Sequence, residues 1–146
     1  MKKIISLILS FVLISSANAF AVSIDDINSA IRDTEKYLYE NSQTPTVSSI
    51  GGEWLIMGLS RNDGDISDSY YEDYYNNVVN YVKECGGVLH NKKYTEYSRV
   101  IIALTSIGKD PQNVGGYNLL LPLGDFEKTT WQGINGAIWA LIALDC

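Results

Sequence analysis

Apolar residues recur through most of this chain at the three-to-four-residue spacing of an amphipathic helix, and short polar or Gly-rich segments interrupt them. After Ile24-Asp25-Asp26, the spacing of Ile27, Ile31, Leu38 and Tyr39 predicts a helix ending at Asn41-Ser42, with Asp25 and Asp26 at its positive end. Gln43-Thr44-Pro45 breaks the pattern. A second helix is expected from about Val47 to Leu59, where Trp54, Leu55, Met57, Gly58 and Leu59 leave it apolar nearly all round, as in a buried helix. Arg61 to Ser67 is a polar turn. The third helix is expected over Ser69 to Glu84, with Tyr71, Tyr75, Val78, Val79 and Val82 able to share one face and Gly86-Gly87 as its stop. A fourth spans Thr95 to Ile107 and stops at Gly108, with Pro111 behind it. From Gly115 to Leu123 the pattern loosens into a short helix interrupted by Pro122, and Thr129-Thr130 reads as the cap of a last helix, Trp131 to Asp145. The best strand candidate, Val100-Ile101-Ile102, lies inside a helical pattern. The expected fold class is all-α, with about six helices in three antiparallel pairs.

The first 21 residues follow another rule. Met1-Lys2-Lys3 is basic, Ile4 to Ile14 is apolar, and Ser15 to Ala21 is rich in small residues, the order of a secretory signal peptide. Ala17-Asn18-Ala19 and Ala19-Phe20-Ala21 both offer cleavage sites, so a mature domain over 22–146 is expected. The apolar run is shorter than the about 20 residues that span a bilayer. The expected location is therefore secreted or at the cell surface, with no membrane partner once the signal is removed. Without Lys2 and Lys3 the chain has 9 basic and 17 acidic side chains, a net charge of −8. With no basic cluster, it is not expected to bind nucleic acid or an anionic membrane. A disulfide or an unpaired buried thiol fits Cys85 and Cys146, and the sequence leaves their pairing open.

Three segments resemble one another: Trp54-Leu-Ile-Met-Gly-Leu-Ser-Arg, Val100-Ile-Ile-Ala-Leu-Thr-Ser-Ile-Gly and Ile138-Trp-Ala-Leu-Ile-Ala-Leu-Asp. Superposing Leu59, Leu104 and Leu144 gives steps of 45 and 40 residues, a period typical of stacked helix pairs. Each segment sets a small residue beside the Leu, which lets neighbouring helix backbones approach closely. These segments, together with Gly51-Gly-Glu-Trp-Leu, Tyr94-Thr-Glu-Tyr-Ser-Arg, Gly108-Lys-Asp-Pro-Gln-Asn-Val-Gly-Gly-Tyr and Trp131-Gln-Gly-Ile-Asn-Gly, resemble the bacterial secreted branch of the terpene cyclase/protein prenyltransferase superfamily. The resemblance implies a partial α/α toroid in which the second helix of each pair is an inner helix. Complete toroids of that superfamily usually hold five to seven pairs. Three pairs ending at Leu144-Asp145-Cys146 imply a fragment, or a chain completed by self-association, with Trp139, Leu141 and Ile142 partly uncovered.

The chemistry of that superfamily does not carry over. Asp63-Gly-Asp65 lacks the third acid of the Asp-x-Asp-Asp proton donor, and Asp25-Asp26 is not followed by the Asp of a magnesium-binding Asp-Asp-x-x-Asp. His90 stands alone, far from a zinc-ligand spacing, and reads as a loop residue. Asn62-Asp63-Gly64-Asp65 is similar to part of a calcium loop, but Arg61 and Tyr70 occupy positions that need acids. No metal or cofactor is expected. Gln132 to Trp139 nearly matches the family's Q-x-x-x-G-x-W motif, whose role is to tie helices together. The tyrosines at 70, 71, 74, 75 and 81 suit either an aromatic binding rim or an amphipathic helix that buries its rings and keeps its hydroxyls wet. The resemblance places Glu53, Trp54, Tyr97, Trp131, Gln132 and Asn135 nearest the cavity side of the inner helices. The expected function is a non-catalytic domain that binds a small apolar molecule, such as a corrinoid, or a protein partner there. An isoprenoid-processing enzyme whose catalytic acids lie outside this chain and a structural module of the cell envelope are the alternatives.

Overall fold

The computed structural model describes residues 22–62 and 64–146. The expected signal peptide and Asp63 lie outside the described residues. The chain divides between Thr34 and Glu35 into two compact units.

The described residues form six α-helices: α1 (Ile24–Asn41), α2 (Trp54–Ser60), α3 (Asp68–Glu84), α4 (Thr95–Ser106), α5 (Phe126–Thr130) and α6 (Ile134–Asp145). A π-helical turn, Ser49–Glu53, precedes α2, and a 3-10 turn, Leu121–Gly124, precedes α5. The fold is all-α. Among the described residues there is no strand, only a bridge between Val114 and Tyr117 that closes over a Gly115-Gly116 turn. None of the described helices is long and apolar enough to cross a membrane.

In the first unit, α1 opens with a reciprocal cap. The Ser23 hydroxyl accepts from the Asp26 amide at 3.0 Å, and the Asp26 carboxylate accepts from the Ser23 amide at 3.2 Å. The Ser23 hydroxyl bond also holds the Asp26 carboxyl below its ordinary range.

The second unit is built around α4, whose residues Val100 to Leu104 are all buried. α4 touches α2, the π-helical turn, the 3-10 turn and α6, so the three segments that look alike in sequence lie next to one another in space. α6 turns small residues inward. Gly136, Ala140 and Ala143 are buried at spacings of four and three, the stripe along which a helix approaches a neighbour most closely, and Gly136 lies against the Thr129 carbonyl of α5. α3 supplies Tyr70, Tyr74, Val78 and Val82 to the core, a strict four-residue stripe. Tyr71, Tyr75 and Val79, expected on the buried face, flank it half-buried.

Two helix starts differ from the sequence expectation. The second helix begins at Trp54 rather than near Val47, because the backbone at Gly52 turns out of the helical region (φ −140°, ψ −105°). A Cβ on Gly52 would sit 1.9 Å from the Thr46 carbonyl oxygen, so the turn requires glycine. The last helix begins at Ile134 rather than Trp131. Thr129 and Thr130 do not cap it; they end α5, whose own cap is Asp125, accepting from the Lys128 amide at 3.1 Å. Gly133, at φ 68°, then reverses the chain into α6.

Candidate functional site

Glu53, Arg99, Glu96 and Tyr74 converge where the π-helical turn meets α3 and α4. The Gly52 turn leaves Glu53 1% exposed, beside the start of α2. Arg99 lies in the second turn of α4 and forks to Glu96 one turn earlier, its Nη1 donating at 3.3 Å and its Nη2 to the other carboxylate oxygen. That leaves Nε facing the Glu53 carboxylate at 3.5 Å, an ion pair outside hydrogen-bond geometry. Tyr74 comes from α3, fully buried.

The electrostatics follow from this crowding. Burial pushes the Glu53 carboxyl above its ordinary value, the positive charge of Arg99 opposes that shift, and Glu96 adds to it. Burial, with the Glu53 charge nearby, pushes the Tyr74 phenol far above its ordinary value. Glu53 Oε2, Arg99 Nε and the Tyr74 hydroxyl are buried without a hydrogen-bond partner. Buried polar groups without partners each carry a free-energy cost of about 1–3 kcal/mol, so the cluster holds unspent donor and acceptor capacity.

Beside the cluster, Trp54 packs edge-on against Trp139, with ring centroids 5.1 Å apart and planes at 68°. Trp54 is 41% exposed and Trp139 half-buried, so the pair presents apolar surface outward. In the superposition of Leu59, Leu104 and Leu144, residues 54, 99 and 139 are equivalent. The same register on three neighbouring helices therefore yields Trp, Arg and Trp. The facing atoms of the Glu53–Arg99 pair are closed to solvent, so a ligand on this side would meet the tryptophan surface and the partly exposed outer atoms of Arg99 and Glu96.

The structure brings Glu53 and Trp54 into this site and gives the other expected residues different surroundings. Tyr97 is buried, and its hydroxyl donates to the Gly87 carbonyl at 3.2 Å and accepts from the Leu89 amide at 3.1 Å. It pins the loop after α3 and has no free hydroxyl to offer a ligand. Gln132 Oε1 accepts from the Thr95 amide at 3.2 Å and the Thr95 hydroxyl at 3.0 Å, tying the α5–α6 turn to the start of α4. Trp131 is exposed, with Lys92 Nζ 5.7 Å from its ring centroid, and Asn135 is exposed in the first turn of α6. Sequence reasoning missed Arg99, Glu96, Tyr74 and Trp139. The register that aligned the three leucines could have found Arg99 and Trp139, and the three-residue spacing from Arg99 could then have found Glu96; nothing in the sequence signals Tyr74.

The remaining candidates settle into structural roles. His90 Nδ1 accepts from the Lys92 and Lys93 amides, both at 2.9 Å, which organises its loop. Cys85 and Cys146 are free thiols, half-buried and exposed respectively. The Tyr70 hydroxyl is not wet but donates to the Ser42 carbonyl at 2.7 Å, and burial pushes its phenol up to about 12. An open hollow of about 320 Å³ lies between the ends of α2, α3 and α4. Several of its polar side chains are paired, Asn62 with Glu35 Oε2, Ser60 with Ser106 and Lys109 with Glu72, while Glu35 Oε1 is buried without a partner. Among the described residues no group of three or more His, Cys, Asp or Glu could hold a metal ion. The chain matches no protein-family model, no curated protein and no solved structure.

Proposed function

We propose that residues 35–146 form a non-catalytic helical-repeat domain, secreted or displayed at the cell surface, that binds a small molecule on the side where α2, α4 and α6 bring residues 53, 54, 99 and 139 together. In this reading the three helices are inner helices of a partial α/α toroid of the terpene cyclase/protein prenyltransferase type. The observation that carries it is the buried, incompletely partnered Glu53–Arg99 pair beside the exposed Trp54–Trp139 pair. The tryptophan faces would take the apolar body of the ligand, and the partly exposed Arg99 and Glu96, anchored by the buried Glu53, would meet its polar group.

A thermal-shift screen with corrinoids and isoprenoids tests this directly. A ligand at 100 times its dissociation constant adds about 2.7 kcal/mol of stability. The gain should vanish in Trp139→Ala and survive in Trp131→Ala, which lies at the Lys92 contact. No stabilisation by any member of either class, or equal loss in both variants, would overturn the proposal. The isoprenoid-processing alternative draws on one feature, the raised carboxyl of Glu53 beside aromatic faces. Incubation with prenyl diphosphates and squalene, with and without magnesium, separates it from binding alone, and no turnover is expected.

A further inference from the structure

α6 is apolar on two opposite faces, and only one of them is covered. Gly136, Ala140 and Ala143 are buried, whereas Ile134 is 72% exposed, Leu141 is 68% exposed, and Ile138, Ile142 and Leu144 are also exposed. A helix with apolar residues on every side is normally enclosed. The equivalent residues of α4, Ile101, Ile102 and Leu104, are all buried. The exposed aliphatic side chains present roughly 500 Å² of surface, more than scattered surface residues give and close to the apolar share of the about 800 Å² that each partner contributes to a standard interface.

The order of residues on this face indicates what covers it. Ile134, Ile138, Leu141 and Asp145 follow one another at spacings of four, three and four, a stripe that reads the same in both directions. Laid antiparallel against itself, it sets Ile138 of one copy opposite Leu141 of the other and Ile134 opposite Asp145. Gly133, at the start of α6, gives no side-chain cap to the first-turn amides. The antiparallel arrangement brings the Asp145 carboxylate of the second copy to that open, positive helix end. Each half of the contact is then identical, as a two-fold interface requires. We propose that α6 pairs with α6 of a second copy of this chain, antiparallel about a two-fold axis, and that the free chain is a dimer.

Sedimentation of the purified protein from micromolar to submillimolar concentration tests this. The wild type should sediment as a dimer, and Leu141→Asp, which buries an unpaired charge in the contact, should raise the dimer dissociation constant at least about a hundredfold. Leu141 is exposed within one copy, so the variant should keep its far-UV circular dichroism. In a Cys146→Ser background, Ile138→Cys with Leu141→Cys should oxidise to a covalent dimer, and the background alone should not. A wild type that sediments as a monomer throughout, or a dimer that survives Leu141→Asp, overturns the proposal.

Discussion

Replacing Arg99 by Met removes the charge that faces Glu53 while keeping most of the side chain's apolar stem. Glu53 is then a buried carboxylate with no cation beside it. Breaking a buried ion pair from one side costs about 3–5 kcal/mol. Arg99 is 16% exposed, which admits some solvent, and Glu53 can escape part of the penalty by taking up a proton. The lower end applies, so the loss at pH 8 should be about 3 kcal/mol. The pH dependence is the sharper signature. Because burial raises the carboxyl of Glu53 in the folded chain above its ordinary 4.5, the folded state holds this proton where the unfolded state has lost it. The contribution of this group is complete below that ordinary value and is lost as pH rises through the folded value. Arg99→Met moves the folded value further up, so the variant should recover most of its loss as pH falls toward 4.5. In a Glu53→Gln background the same substitution should cost only about 1 kcal/mol, the scale of a lost hydrogen-bonding group, with little pH dependence. Urea unfolding followed by circular dichroism at several pH values measures all four chains. A loss that is the same at every pH, or that Glu53→Gln leaves unchanged, would refute the assigned coupling.

Other substitutions probe the packing around the site. Tyr74→Phe removes a buried hydroxyl that has no partner and should stabilise the fold by about 1 kcal/mol, whereas Tyr70→Phe deletes the bond to the Ser42 carbonyl and should destabilise it by a similar amount; chemical denaturation distinguishes the two signs. Spectroscopic titration should find the Tyr70 phenol ionising near 12, with its contribution to stability intact below pH 10 and lost as pH rises through that value. Gln132→Ala leaves the Thr95 amide at the start of α4 without its acceptor and should cost about 1 kcal/mol without changing ligand binding. Gly52→Ala drives a methyl group into the Thr46 carbonyl and should cost at least about 2 kcal/mol while altering tryptophan fluorescence through the displaced Trp54.

Much of the helix plan was legible because its signals are local. The stops after α3 and α4 are glycines with positive φ, Gly86 at 60° and Gly108 at 72°, and no other residue adopts that conformation so cheaply. The start of α6 was misread because Thr129-Thr130 has the chemistry of a cap, and only the tertiary approach of Gly136 to the Thr129 carbonyl, 2.0 Å from an added Cβ, shows why the chain must reverse at Gly133. The site was half legible. Glu53 and Trp54 fall at the head of a repeat segment, but Arg99 stands where the other two repeats carry Trp, and a single Arg in an apolar helix reads as a solvated side chain. Glu96 is a local partner one turn away, but the burial of Arg99 depends on the arrival of Glu53, 46 residues earlier in the chain, which is a long-range event. Tyr97 shows the reverse, since its position on α4 says nothing of the loop carbonyl and amide that occupy its hydroxyl.

The proposed binding face depends most on the shared register of α2 and α6, which makes residues 85 positions apart neighbours at Trp54 and Trp139. A double-mutant cycle of Trp54→Ala and Trp139→Ala, measured by urea unfolding, reads that contact without any ligand. The edge-on pair predicts a coupling of about 1 kcal/mol. Losses that simply add, to within about 0.3 kcal/mol, would mean that the two rings do not meet and that the three helices do not present one face.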